Sequence, residues 1–234
     1  AIMAVVVLYF KDLWPFHNRK PKHNNVTKIE KTAGFICRFV QIDKMVMWFK
    51  IVVSCLPAII VALPFNDFIE EKFNNYFVVA VMLIVYGVLF ILIEDYNKKR
   101  EPAVNSIAEI SWKMALLIGV FQLLAVIPGT SRSGATIIGG ILLGASRTVA
   151  AEYTFFLAIP TMFGASLLKL VKFGLHFTGA ELMILIVGMA VSFGVSILAI
   201  KFLMGYIKKH DFKVFGWYRI VLGVIVLLYF TIAG

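Results

Sequence analysis

The feature that most constrains this chain is a series of long apolar runs. Met45–Phe65, Tyr76–Ile93, Thr148–Val171, Leu182–Leu203 and Val214–Ile232 each hold about twenty residues with few charges. At a rise of about 1.5 Å per residue, that is the length at which an α-helix crosses a hydrocarbon core of about 30 Å. Pro57 and Pro64 inside the first run do not disqualify it, because membrane helices tolerate proline. The whole chain agrees: 61% of its residues are hydrophobic, 15% are charged, and the mean hydropathy is +0.90. A soluble domain is about 45–50% apolar and about 25% charged, and no soluble core could hide this excess. The chain therefore reads as an all-α polytopic integral membrane protein, with residues 1–234 in a single membrane domain.

Charge orders the runs. The formal net charge is +10, and the basic residues concentrate in the connectors Lys11–Lys44, Glu94–Glu109 and Gly205–Lys213. The intervening connectors, Asn66–Asn75 and Lys172–Glu181, carry one lysine each. Basic loops stay in the cytoplasm, which assigns the three basic connectors to that side. Nucleic-acid binding is excluded, since it needs a basic face on a soluble surface and these cations lie between apolar runs. Inside the first basic loop, Val26–Val40 has apolar residues near helical spacing and is expected to form an interfacial amphipathic helix. Cys37 and Cys55 form no disulfide framework, and His17, His23, His176 and His210 have no ligand spacing. Ala1–Phe10 is an apolar run of half the spanning length, expected to be the end of a helix that begins upstream.

The expected organisation is thus the end of a helix at 1–10, a basic cytoplasmic loop at 11–44, and two spans within 45–109. A helix and re-entrant hairpin follow at 110–147, and three spans occupy 148–234. The hairpin rests on two observations. Ile110–Ile127 is stopped by Pro128-Gly129, and the next apolar segment, Ala135–Ala145, covers only about half the core. The alternation of basic and weakly charged connectors also holds only if this pair of segments enters and leaves on one side.

Between the limbs stands Pro128-Gly129-Thr130-Ser131-Arg132-Ser133-Gly134-Ala135-Thr136, with one arginine, two glycines and four hydroxyls. An arginine at membrane depth marks a functional site. Gly129 and Gly134 allow backbone amides to approach a ligand closely. A helix starting just after Gly134 would point its free N–H groups at the same place, which favours an anion. The guanidinium supplies a planar, permanently charged fork suited to phosphate oxygens. These residues describe a phosphate- or carboxylate-binding pocket inside a membrane.

This segment resembles the PGxSRSxxT signature of the undecaprenyl-diphosphate phosphatases, also called bacitracin-resistance proteins. Gly119-Val120-Phe121-Gln122, Gly144-Ala145-Ser146-Arg147, Ala151-Glu152-Tyr153-Thr154-Phe155-Phe156 and Gly216-Trp217-Tyr218-Arg219 are similar to that family as well. The resemblance implies a helical bundle of two inverted-topology repeats, each with a re-entrant hairpin, in the bacterial cytoplasmic (inner) membrane. It implies an enzyme that hydrolyses a polyprenyl diphosphate lipid to the monophosphate carrier used in cell-wall synthesis. Arg132 and Ser131 are then the catalytic residues, and Gly129, Thr130, Ser133, Gly134 and Thr136 surround the phosphates. The family also carries a glutamate pair spaced ExxxE, which could hold a divalent cation (Mg or Ca) or act as base. No glutamate of this chain has another four positions away, so those ligands are expected upstream of Ala1, and the chain alone is expected to be inactive. A homodimer is compatible with this reading.

Three residues stand around the motif. Gln122 faces either the pocket or a neighbouring helix. Arg147 and Glu152 bracket the start of a span and are expected to pair with each other or with nearby backbone. Two other functions fit part of the pattern. A transporter or flippase for a polyprenyl phosphate lipid also aims broken helices at a midplane anion. The other membrane lipid-phosphatase family needs a histidine six positions after its arginine, where this chain has Ile138.

Overall fold

The computed structural model describes residues 1–16, 41–98, 100–173 and 178–233. The expected interfacial helix at Val26–Val40 lies outside these residues. Two short helices, α1 (Ile2–Leu8) and α2 (Phe10–Leu13), lead to α3 (Ile42–Phe73) and α4 (Tyr76–Asn97). A 3₁₀ turn at Ile107–Glu109 precedes α5 (Trp112–Leu123), which runs into a second 3₁₀ turn and then α6 (Arg132–Leu142). The chain continues through α7 (Arg147–Phe173), α8 (Gly179–Ile207) and α9 (Lys213–Ala233). No strand occurs among the described residues. Five segments are long and apolar enough to cross a membrane: Ile42–Val61, Tyr76–Asn97, Arg147–Lys172, Gly179–Ile207 and Lys213–Ile232. They are the five spans expected from the apolar runs, so the protein is a multi-pass membrane protein.

Two boundaries differ from expectation. Asn66–Asn75 is mostly not a loop, because α3 carries on to Phe73 before the chain turns at Asn75, whose side chain accepts from the Val78 amide and caps α4. Leaving the apolar layer does not end a helix; it changes only which side chains it favours, and Glu71 and Lys72 suit a solvated helix. At the other end of α4, Glu94 lies inside the helix and is 1% exposed, whereas its sequence neighbours place it in a polar connector.

The segments α5 and α6 form the re-entrant hairpin. Both feet stand at the end where the basic connectors lie. Val104 pairs with Ala145 in a single bridge, its amide donating to Gly144 O at 3.0 Å and its carbonyl accepting from Ser146 N at 2.9 Å. The tip reaches far from there. Gly129, at φ +87°, lies so close to Val79 that a Cβ would meet the Val79 carbonyl oxygen at 2.6 Å. Val79 is in the first turn of α4, at its opposite end. Every residue of α6 from Gly134 to Ile141 is buried, between α5, α7 and α4. A helix too short to span is stable at this depth because protein, not lipid, surrounds it.

α5 is held against α3 and α7 by a buried polar knot. Ser54 Oγ lies 2.6 Å from Ala115 O, to which it donates, and 2.7 Å from the Tyr153 hydroxyl. Tyr153 and Ser54 are both essentially unexposed. Next to the knot, a Cβ at Gly119 would stand 2.3 Å from Ser54 O, so α3 and α5 touch backbone to backbone. Ser54→Ala strands the Tyr153 hydroxyl, while the Ala115 carbonyl keeps its helical amide. Thermal unfolding in detergent is expected to show a loss of about 1–3 kcal/mol for Ser54→Ala and about 1 kcal/mol for Tyr153→Phe, which leaves Ser54 its carbonyl.

Candidate active site

The tip of the hairpin is organised by one serine. Ser131 Oγ accepts from Gly134 N at 3.1 Å and its carbonyl accepts from Ala135 N at 2.8 Å, which makes it the N-cap of α6. The helix therefore begins at Arg132, not after Gly134 as expected, and Arg132, Ser133 and Gly134 are its first turn. The cap rule explains the shift: serine before a helical run is a strong starter because its oxygen satisfies an orphan amide. The cap also reduces the donors on offer. Gly134 N is engaged, and the amides of Arg132 and Ser133 are the ones with no carbonyl of the helix to reach.

Beside this turn lies a cavity of about 330 Å³, lined by Gln122, Arg132, Ser133, Thr136, Thr154 and Ser196 of α8 together with apolar residues of α1, α7 and α8. Arg132 Nη1 donates to Thr161 Oγ1 at 3.0 Å, and the Thr161 hydroxyl in turn points at Leu157 O at 2.9 Å. No carboxylate of the described residues lies within ion-pair distance of this guanidinium. It has five N–H donors, so four remain for a ligand. Ser133 is exposed to the cavity, with its Oγ 3.1 Å from Ser131 Oγ. Thr136 donates to the carbonyls of Arg132 (3.0 Å) and Ser133 (3.1 Å), and accepts from Thr154 Oγ1 at 3.0 Å. Its single proton thus braces the first turn of α6, and it borders the cavity at 2% exposure.

Depth can be counted along α7. At about 1.5 Å per residue from Arg147, Thr154 lies about 10 Å and Thr161 about 21 Å from the basic end. The cavity therefore occupies the middle of a core about 30 Å thick. An unpaired guanidinium at this depth is stable only if something anionic or strongly polar meets it.

The structure divides the expected site residues. Arg132, Ser133, Thr136 and Gln122 come together on the cavity. Gly129 forms the turn against Val79, Ser131 caps the helix, and Gly134 packs on the Phe90 ring, where a Cβ would meet it at 3.1 Å. Thr130 Oγ1 is buried with no partner among the described residues and is not on the cavity wall. Arg147 and Glu152 do not pair with each other. Arg147 pairs with Glu94 of α4, whose other oxygen accepts from Phe212 N at 3.3 Å, while Glu152 is half-buried and forms no ion pair among the described residues. Five residues apart on a helix, side chains 147 and 152 point about 140° from each other, which prevents the expected contact. Sequence reading gave no role to Thr154 and Thr161. Their seven-residue spacing on α7 places both on one face, and that periodicity was the available signal.

Among the described residues no group of three His, Cys, Asp or Glu side chains could hold a metal. The cavity wall does not fit a divalent cation, since it offers hydroxyls, a carboxamide and a guanidinium but no carboxylate.

Comparison with known proteins places this geometry. The sequence profile described as bacitracin resistance protein BacA matches residues 1–225. The chain belongs to the BacA family. Among curated relatives, the undecaprenyl-diphosphatase of Desulfitobacterium hafniense is 59% identical over 232 residues, covering 99% of this chain and 78% of the relative. That of Lachnoclostridium phytofermentans is 59% identical over 233 residues, covering 100% of this chain and 79% of the relative. That of Enterococcus faecalis is 54% identical over 228 residues, covering 97% and 78%. In this BacA chain the signature motif is therefore a capped helix start that turns one arginine and one serine toward a mid-depth cavity.

Proposed function

We propose that the protein is the membrane phosphatase that hydrolyses undecaprenyl diphosphate to undecaprenyl phosphate and inorganic phosphate in the bacterial cytoplasmic membrane. The observation that carries this reading is Arg132: an oriented guanidinium with no carboxylate partner among the described residues, facing a cavity at the middle of the membrane. In the reaction a water oxygen bonds to the terminal phosphorus and the bond from that phosphorus to the bridging oxygen breaks. The bridging oxygen leaves with the lipid monophosphate, and the proton of the water passes to the medium. Phosphoryl transfer asks a protein chiefly for placement and for cations and donors aimed at the developing charge. Arg132 supplies the charge, and the amides of Arg132 and Ser133 with the Ser133 hydroxyl supply further donors. Thr161 aims the guanidinium, Ser131 starts the helix, and Thr136 with Thr154 braces its first turn. No step is assigned to a divalent cation, whose ligands the cavity wall does not include.

A carrier for a polyprenyl phosphate lipid would use the same donors without breaking the anhydride. The complete natural protein, reconstituted in liposomes with undecaprenyl diphosphate, distinguishes the two. Release of inorganic phosphate in step with loss of the diphosphate is expected. Lipid that crosses the bilayer with its diphosphate intact would overturn the phosphatase and leave the carrier.

A further inference from the structure

Gln122 is a polar side chain on the cavity wall with no hydrogen-bond partner among the described residues. It sits in the last turn of α5, 5% exposed, across the hairpin from Ser133 and Thr136. Its carboxamide makes no hydrogen bond with any described residue, in contrast to the polar side chains of α6 beside it, the arginine included. Arg132 has Thr161, Ser133 has Ser131, and Thr136 has Thr154. Nor can the side chain simply turn away. Phe121, its neighbour, packs its ring against Gly139 of α6, where a Cβ would stand 2.5 Å from it, and Gly119 is pressed on the α3 backbone. Packing on both sides sets the rotation of α5 and with it the direction of Gln122.

An amide on a buried side chain that opens on a cavity and has no protein partner there is a ready contact for whatever fills the cavity. The amide brings two N–H donors and one acceptor, and it is neutral. The ligand class it suits beside a guanidinium is a phosphate: oxygens that accept from both walls at once. We propose that Gln122 is a substrate-contacting residue whose Nε2 donates to an oxygen of the diphosphate opposite Arg132, while its Oε1 accepts from the attacking water. This rests on reading the cavity as the diphosphate site. It assigns the α5 limb a direct share in the chemistry, so that the hairpin grips the phosphate from both limbs.

The test uses the complete natural protein with Gln122→Met, which keeps length without donors, and Gln122→Glu, which keeps shape but adds charge. Phosphate release from undecaprenyl diphosphate, retention of that lipid, and thermal unfolding are measured on each. Gln122→Met is expected to lower kcat/KM by about 10²-fold, the loss typical of one donor to a developing oxyanion. Its unfolding temperature should not fall, because the amide it removes is unpaired. Gln122→Glu is expected to lose more than Gln122→Met, as its carboxylate repels the phosphate. Two results overturn the proposal: both variants within threefold of wild type, or activity lost only in step with a lower unfolding temperature. If wild-type protein itself releases no phosphate, the phosphatase reading fails instead. Gln122 is then judged on lipid retention, which must weaken in Gln122→Met for the contact to stand.

Discussion

Arg132→Ala is expected to reduce kcat/KM for undecaprenyl diphosphate by about 10³-fold or more while leaving the fold intact. The size follows from the role: an arginine that stabilises charge on a transferring phosphoryl group contributes about 10³–10⁵ in rate. The intact fold follows from the geometry. Among the described residues Arg132 has no carboxylate partner and one side-chain hydrogen bond, to Thr161, whose hydroxyl keeps Leu157 O. Removing it strands no buried charge, so the unfolding temperature should hold or rise. Arg132→Lys separates charge from shape. Lysine keeps the cation but loses the planar fork, and an intermediate loss of about 10²-fold is expected. Thr161→Val keeps the guanidinium but frees its orientation, and it should cost less than either. Phosphate release measured across the three, beside thermal unfolding, checks the order. An Arg132→Ala protein that hydrolyses the lipid within tenfold of wild type would remove Arg132 from the chemistry.

How much of this could be read from the sequence depends on how local each interaction is. The spans were legible because an apolar run of membrane length has few other uses, and α4, α7, α8 and α9 lie where the runs lie. The hairpin was legible from a short segment and a charge alternation, and the Val104–Ala145 bridge and the Gly129–Val79 contact bear it out. Arg132 and Ser133 line one cavity, since one helical turn presents both. What escaped was set by other elements. The start of α6 depends on whether Ser131 caps it, Thr154 and Thr161 matter only once α7 turns that face to the hairpin, and Gln122 could not be aimed without knowing how α5 packs on Gly139. Glu94 escaped for the same reason, with its partner 53 residues away in the chain.

That pair connects the fold to the site. Arg147 follows the foot of α6 by a few residues, so whatever holds Arg147 holds the base on which the Arg132 turn is raised. The carboxylate at Glu94 is 1% exposed, against 34% for the Arg147 side chain, and its second oxygen takes the Phe212 amide. One ion pair thereby joins α4, the start of α7 and the approach to α9.

Arg147→Ala is expected to destabilise the protein by about 3–5 kcal/mol, because it leaves a buried carboxylate with a single amide for compensation. Glu94→Gln should cost less, since the arginine left behind is partly solvated. Replacing both by apolar residues, Glu94→Leu with Arg147→Met, should recover most of the loss, as buried pairs exchange for packed apolar side chains at little net change. A residue of about 1 kcal/mol is expected to persist from the Phe212 amide, which loses its acceptor. Glu152→Gln supplies the contrast. With no ion pair among the described residues, it should stay within about 0.5 kcal/mol of wild type. Unfolding of the four proteins in one detergent decides between the two pairings. If Glu152→Gln proved as damaging as Arg147→Ala, the arginine would be held by its own helix and not by α4. The hairpin would then be anchored through the Val104–Ala145 bridge without help from α4.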